Sequence, residues 1–530
     1  MSLAEGTVCN AREHGLKGDG VTNDQPALQA LVDALGEAYA ADGRPRVIHC
    51  PPGTYSIRDA GTVWRSGISL TGAGIGVTRF VLSNEGNRVD PTPLAYFTTV
   101  QHGASRDNCI TDCTFASFEI DGSGVKLARY DYLAKGLGLQ YVQRGRFRDL
   151  YIHDTAATGL GCDFLQDTTV EAVHVLRCGR LDTGQQMGGA GIGIGVGGWG
   201  DSERLTVANC TAVGNGTNGI FLELQKPDWV PPRGIRIVGC HVEDNRFGIS
   251  DWGAEGLIVS ACTMIGNHEA GFDVSAQGTS GVAGRGGIVA DCVIDANIID
   301  GLSIGNTPGR YVVRGNRISR NGRYGYCEHN LARNPIPGRE VVLDGNEIWE
   351  NGLDGIRIDA GLSDGAIVNN RIRDNGRRSA GGDSGAGEAV SYTRTSVRDS
   401  GADWPVDGHR GKVVRIGPRS AVVATNTSNE LLLAPVRPGA TTAWTGGTPS
   451  AGERYELPEA PTRRAGITLA STTSDLTLRH NRVWDSQERK TQTHGLLVTG
   501  EGPHGSADIQ DNDFACNAVA ATRIETPEYA

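Results

Sequence analysis

Two columns of residues, repeated at coil-length intervals, constrain this chain more than any other feature. Aligning NCTAVGNGTNGI, GCHVEDNRFGIS, ACTMIGNHEAGF, DCVIDANIIDGL, GNRISRNGRYGY and GNEIWENGLDGI puts Cys210, Cys240, Cys262, Cys292, Asn316 and Asn346 at one position, continued by Asn370, Asn481 and Asn512. Five residues on stand Asn215, Asn245, Asn267, Asn297, Asn321, Asn351 and Asn375. A glycine then recurs at 219, 248, 271, 301, 325 and 355, with Gly159 and Gly191 before it and Gly466 and Gly495 after. Apolar residues such as Ile318 and Ile348 alternate between the columns, as in strands with one face inward. A unit of this kind cannot bury its apolar face alone, so successive units must stack.

Each repeat therefore reads as one coil of a solenoid, with equivalent positions about 4.8 Å apart in neighbouring coils. The predicted fold is all-β, a single-stranded right-handed parallel β-helix. Asparagine tolerates left-handed backbone angles, and its amide can bond the coils on either side, so the Asn columns are expected at left-handed turns and in side-chain ladders. The column cysteines are expected to pack as small buried hydrophobes. Twelve cysteines in 530 residues, with no CxxC pair, fit neither a disulfide scaffold nor a zinc site.

The N-terminal stretch EHGLKGDGVTNDQPALQALVDALGEAYA holds a Gly-Asp-Gly turn, Asn23 or Asp24 as a helix cap, and Pro26 in the first turn. Leu28, Leu31, Val32 and Leu35 follow at helical spacing. Such a helix would plug the open end of a stacked sheet. The strand VIHC and the segments PPGTY and SLTGAGIG come next. With these residues the chain resembles the pectate-lyase-like superfamily, whose β-helices often begin with a GDGxxDD-type turn, a capping helix and a PxGxY strand. The expected organisation is a cap with first coils over 1–108 and the parallel β-helix over 109–375. A small β-rich insertion carrying KVVRIGP, AVVATN and ELLLAPV would span 376–465, with final coils over 466–530.

Coil length carries a second message. From Cys210 to Asn370 the column spacing alternates between 30 and 22 or 24 residues. The extra residues fall at 225–234, 276–286 and 330–339, three loops expected to wall one side of a groove. Counting outward positions as the second and fourth residues past each repeat glycine brings out two constellations. His329 and Asp359 share the fourth position in adjacent coils, where the carboxylate could orient the imidazole. Arg357 lies one outward position from Asp359 and could hold a substrate carboxylate. Tyr324 and Tyr326 flank this group as proton donors or stacking platforms. The other constellation is Asp163, Glu223 and Asp273: acids on either side of a skipped coil would lie roughly 10 Å apart, near the spacing of inverting glycosidases. The segment 187–200, MGGAGIGIGVGGWG, lacks the βαβ setting of a dinucleotide loop and reads as a flat coil that opens the groove floor between Asp163 and Glu223.

The segment ATGLGCDFLQDTT is similar to the stretch around the catalytic aspartate of bacterial alginate epimerase modules, where a YGFDPH-like motif precedes a QT pair. The resemblance makes Asp163 the counterpart of that aspartate. The family's tyrosine is Leu160 here, its histidine Leu165, and the aspartate one coil on Gly195.

The formal net charge of −11 and the absence of any basic run argue against a nucleic-acid partner. No apolar run is long enough to span a membrane, and MSLAEGTVCN lacks a signal pattern, which leaves the location open: extracellular or virion-associated if a leader was removed. The expected partner is a polysaccharide. The leading expectation is a lyase or epimerase of a uronate-containing glycan, centred on His329, Arg357 and Asp359. An inverting glycoside hydrolase using the acids is the first alternative. The second is a tail-spike-like or adhesin protein that grips glycan through Trp229, Trp252 and the wall loops. No cofactor is required by these readings, although the acids suit calcium, and a homotrimer, common among phage β-helices, is compatible with them.

Overall fold

The computed structural model describes residues 7–58, 60–84, 93–98, 100–127, 130–179, 188–200, 202–276, 278–329, 338–436, 440–499 and 505–524. It contains two compact units, one of residues 1–245, 250–258 and 277–282, the other of 246–249, 259–276 and 283–530. Each is built of right-handed parallel β-helix coils. No helix among the described residues is long and apolar enough to cross a membrane.

In the first unit, α1 (Gln25–Asp42) carries Pro26 in its first turn and ends at Gly43, whose φ of 69° suits a residue without Cβ. Leu28, Leu31, Val32 and Leu35 are its buried face, as their spacing predicts. Asp24 occupies the N-cap position, but its carboxylate turns away from the helix. It accepts bonds from the backbone N–H groups of Lys17, Gly18 and Ser56 and so ties the Gly-Asp-Gly turn to a strand. Beyond α1 the strands Arg46–Cys50 and Ile68–Gly72 pair in parallel, and later Arg146–His153 lies between Thr114–Gly124 and Thr168–Leu176. Register brings Phe115 against Phe147, whose rings stack at 5.5 Å with planes 4° apart. Each such buried ring contributes about 2 to 3 kcal/mol of burial free energy. The strands that build the site, Leu160–Gly161, Ile192–Val196 and Asn218–Leu224, stack with Leu160, Ile192 and Ile220 in one inward row.

The second unit repeats the same coil. Asp300–Gly305, Tyr326–His329 and Ile356–Ile358 pair in parallel, and Ile356–Ile358 pairs directly with Ala465–Leu469. Between those two strands the chain makes a seven-stranded antiparallel sheet, from Asp383–Gly385 to Tyr455–Leu457. It has its own core of Val390, Val397, Trp404, Val414, Leu431 and Trp444.

The Asn columns form ladders. Asn267, Asn297, Asn321, Asn351 and Asn375 each donate a side-chain N–H to the next amide oxygen at 2.9–3.0 Å. That ladder runs on through Gln492 to Asn517, two members the periodicity alone did not reveal. A parallel ladder joins Asn316, Asn346, Asn370, Asn481 and Asn512. One expectation needs correction. The left-handed residue is not the ladder asparagine but the one before it: Ala296, Arg320, Glu350 and Asp374 in one column, Gly315, Gly345, Asn369, His480 and Asp511 in the other. The preceding residue makes the turn, which frees the asparagine to point its amide inward. The column cysteines are buried, and all twelve cysteines are free thiols.

Candidate active site

In the first unit the fourth position past the repeat glycine runs Gln140, Asp163, Gly195, Glu223 over successive coils, with Gln140 in register with Asp163 and Gly195 with Glu223. Gly193 and Gly195 floor a cavity of about 320 Å³ whose lining includes Lys135, Asp163, Glu223 and Tyr130. Glycine at 195 is a spatial requirement: a Cβ there would meet the Asp163 carboxylate at 2.8 Å. Because the coil is bare, Asp163 leans across it and accepts the Gly195 N–H at 2.7 Å. Its other oxygen stands 3.5 Å from the Lys135 ammonium and accepts a bond from Gln140 at 3.4 Å. Lys135 also donates to the Gly161 carbonyl at 2.8 Å, which fixes the ammonium at the floor.

Glu223 faces the same space, held by the second wall loop: Thr279 donates both its backbone N–H and its hydroxyl to Oε1, at 2.6 and 2.8 Å. Tyr130 packs against Gly188, and burial pushes its hydroxyl up to about 12, with Asp131 and Glu223 adding to the shift. A phenol so placed keeps its proton at neutral pH. Phe97, Tyr132 and Phe221 supply apolar surface around these groups.

Behind Asp163 lies a carboxylic acid that sequence reading passed over. Glu203 is fully buried, and desolvation raises it to about 8, with the Asp163 charge contributing. Its Oε1 accepts the N–H groups of Gly197 and Trp199, and Trp199 in turn donates its indole N–H to the Phe164 carbonyl at 2.7 Å. Glu203 thus braces the turn that backs the residue following Asp163.

The second unit treats its outward positions differently. Register places Cys327 against Arg357 as expected. Most of the side chains, however, are covered: Asp273, Ser275, Cys327 and His329 are all buried. The expected His329–Asp359 bond is not formed. His329 Nε2 bonds the Ser303 hydroxyl at 3.0 Å, and burial depresses the imidazole below its ordinary value. Asp359 instead accepts from Arg357 at 2.7 Å, and Arg357 also reaches Asp354 at 3.1 Å. The guanidinium expected to hold a substrate carboxylate is already held by two carboxylates of its own chain. Tyr324 is clasped between Arg323 and Arg357, with guanidinium-to-ring distances of 5.0 and 5.4 Å. Tyr326 faces the interior, where its hydroxyl bonds the buried Glu328 at 3.1 Å.

Asp273 belongs to this unit, with the Ser275 hydroxyl donating to it at 3.1 Å, while Asp163 and Glu223 belong to the other. No group of three or more metal-ligating side chains gathers among the described residues. Trp229, from the first wall loop, packs edge-on against Phe164 at 5.4 Å, and Trp252 against Phe221 at 4.8 Å. Residues 330–337 of the third wall loop lie outside the described residues.

Lys135, Tyr130, Gln140 and Thr279 escaped the sequence reading. The glycine column extends one coil before Gly159, to Gly136, whose N–H bonds the Gly159 carbonyl at 3.1 Å. Counting from Gly136 would have put Gln140 in the acid column, with Lys135 beside it. Nothing in the sequence marks Thr279 or Tyr130, which reach the cavity from loops.

Known proteins share parts of this chain. It is 38% identical over 82 residues to the mannuronan C5-epimerase AlgE3 of Azotobacter vinelandii, covering 14% of this chain and 4% of that protein. It is 29% identical over 187 residues to a capsule KN3-specific depolymerase of Klebsiella phage KN3-1, covering 34% of this chain and 22% of the other. The chain thus matches under a quarter of the length of either relative. The Dettilon tailspike protein shares the fold at a TM-score of 0.50, with 11% identity over 85% of this chain and 93% of that one. A model of the right-handed β-helix region matches residues 229–338. The model described as "Rhamnogalacturonase A/epimerase, pectate lyase-like" matches residues 8–273, just over half of the sequence, and the chain belongs to that family.

Proposed function

We propose that this protein acts on a uronate-containing polysaccharide by removing the proton on the sugar carbon beside the carboxylate, in the cavity of the first unit. The observation that carries the reading is the Lys135 ammonium held 3.5 Å from the Asp163 carboxylate on a glycine floor. Proton abstraction at that carbon builds negative charge on the sugar carboxylate, and a fixed cation stabilises it. Asp163 is the base that takes the proton. Tyr130, still protonated at neutral pH, supplies a proton in turn. In elimination, the electron pair left on carbon forms a double bond as the bond to the glycosidic oxygen breaks, and the phenol protonates that oxygen. In epimerisation, no bond to oxygen breaks, and a proton returns to the opposite face of the same carbon. The family and the names of the relatives, an epimerase and a capsule depolymerase, favour a glycan substrate.

A second reading rests on Glu223. Asp163 and Glu223 flank the Gly195 coil, two coil spacings or roughly 10 Å apart, which approaches the separation inverting glycosidases use for an acid and a water-activating base. A panel of uronans and neutral glycans separates the two. Unsaturated ends seen by ultraviolet absorbance, or solvent deuterium entering the sugar beside the carboxylate, support proton abstraction. Reducing ends released from a neutral glycan, with no change in any uronan, would sink it in favour of hydrolysis.

A further inference from the structure

A cavity of about 470 Å³ opens in the second unit where residues 405–410 of the insertion meet the coil turns at 320–322, 350–352 and 377–378. Its lining carries five arginines against two carboxylates, in a chain whose net charge is −11. One arginine, Arg320, is neutralised by Asp295, which it grips with two nitrogens. The carboxylates are Glu350, whose charge acts on Arg320, and Asp407, which accepts the Thr425 hydroxyl and acts on Arg410.

The other four arginines are differently placed. Arg378 is buried and bonds only the carbonyl oxygens of Gly322 and Arg410. Arg410 bonds the Ala296 carbonyl, and its Nε is buried with no partner. Neither forms an ion pair among the described residues. Carbonyls satisfy donors without cancelling charge, and the nearby carboxylates, Asp300 for Arg378 and Asp407 and Asp295 for Arg410, offset only part of the cost of burying a guanidinium without a direct ion pair. Burial accordingly lowers both groups, Arg378 to about 10. At the rim stand Arg377, which bonds Gln487, and the exposed Arg489. Beside these cations the insertion contributes Pro405 and Val406, the latter 75% exposed.

We propose that this cavity is a binding site for a uronate residue of an acidic glycan, formed where the insertion meets the coils. Guanidinium forks suit a planar carboxylate, the Pro405–Val406 shelf suits the C–H face of a pyranose, and the volume suits a sugar-sized ligand. An inorganic oxyanion would use the cations but leave the shelf idle. The site uses none of the residues that line the first-unit cavity and performs no chemistry. It rests on the reading of the substrate as a uronan, which it extends from reaction to retention.

The test is calorimetric titration of the full chain, carrying Asp163→Asn so that nothing is turned over, with oligogalacturonate, oligomannuronate, a neutral glucan oligomer and inorganic phosphate. Binding of one of the uronate oligomers is expected to weaken about tenfold for each rim guanidinium removed, in Arg377→Ala and Arg489→Ala, with unchanged melting temperature. Val406→Ser is expected to weaken the oligomer further without altering any response to phosphate. Uronate affinity unchanged in the Arg377→Ala/Arg489→Ala double variant overturns the proposal. So does phosphate or neutral glucan bound as tightly, and with the same dependence on the two arginines. Failure of the proposed reaction has a different signature: no product from any uronan, with arginine-dependent binding intact.

Discussion

The Asp163 cluster and the His329–Arg357–Asp359 cluster occupy equivalent outward positions of the repeat in different coils, yet their side chains are used differently. In the first unit the neighbouring coil offers Gly193 and Gly195, and the charged groups keep solvent-facing space. In the second His329 also faces a glycine, Gly305, but bonds the Ser303 hydroxyl, and Arg357 closes on Asp354, Asp359 and the Tyr324 ring. Outward register says where a side chain starts. The partners a side chain finds there, on its own coil as well as the next, decide whether it is left available to a ligand or is neutralised within the fold.

The largest effect that would sharpen this contrast is on turnover. Asp163→Asn, which still accepts the Gly195 N–H, is expected to lower kcat about 1000-fold with no change in melting temperature, whereas His329→Ala keeps its activity. Loss of activity in His329→Ala with Asp163→Asn active would reverse the assignment.

The two clusters also differ in the buried acid beneath them. Asp354 has Arg357; Glu203 has only backbone N–H groups and is held protonated. A carboxyl raised in the folded state binds a proton that the unfolded chain has released. Glu203 therefore costs nothing below its ordinary value near 4.5, and costs progressively more as pH rises to about 8. Glu203→Gln is expected to remove that decline and stabilise the protein by several kcal/mol above pH 8. A Tm-versus-pH series that stays parallel to the unsubstituted protein would contradict it. Arg357→Ala acts in the opposite sense: it strands Asp354 and is expected to cost about 3 kcal/mol in chemical denaturation while leaving kcat unchanged. The smallest effect belongs to the ladders. Asn346→Ala removes one rung and is expected to cost about 2 kcal/mol, with no effect on either cavity's ligand.

Much of the architecture was legible because it is periodic. The Cys and Asn columns, the glycine column and the Leu28–Leu35 face are translational repeats or helical spacings, and side-chain stacking enforces them residue by residue. The site was legible only in part. Asp163 and Glu223 stand in a column that period-two counting could reach, as does the glycine gap between them. Lys135 was hidden because it stands just before Gly136, outside the alternate positions that follow each repeat glycine. Thr279 and Tyr130 lie on loops, where no period exists. The pairing of Arg357 with two acids was invisible for another reason: Asp354 sits on the turn before the strand, outside the outward count.

The ladder bond from Asn370 to Asn481 spans 111 residues of sequence, where Asn351 to Asn375 spans 24. Chain closure scales only with the logarithm of loop length, so the longer route costs about 1.4 kcal/mol more than a normal coil. That is close to the net worth of one rung. Lengthening one coil into an independently cored module is therefore thermodynamically cheap. Its burden is kinetic, since the last coils cannot dock until a contact of high sequence separation has formed. A folding experiment should find residues 466–524 protected from hydrogen exchange later than the coils that precede the insertion.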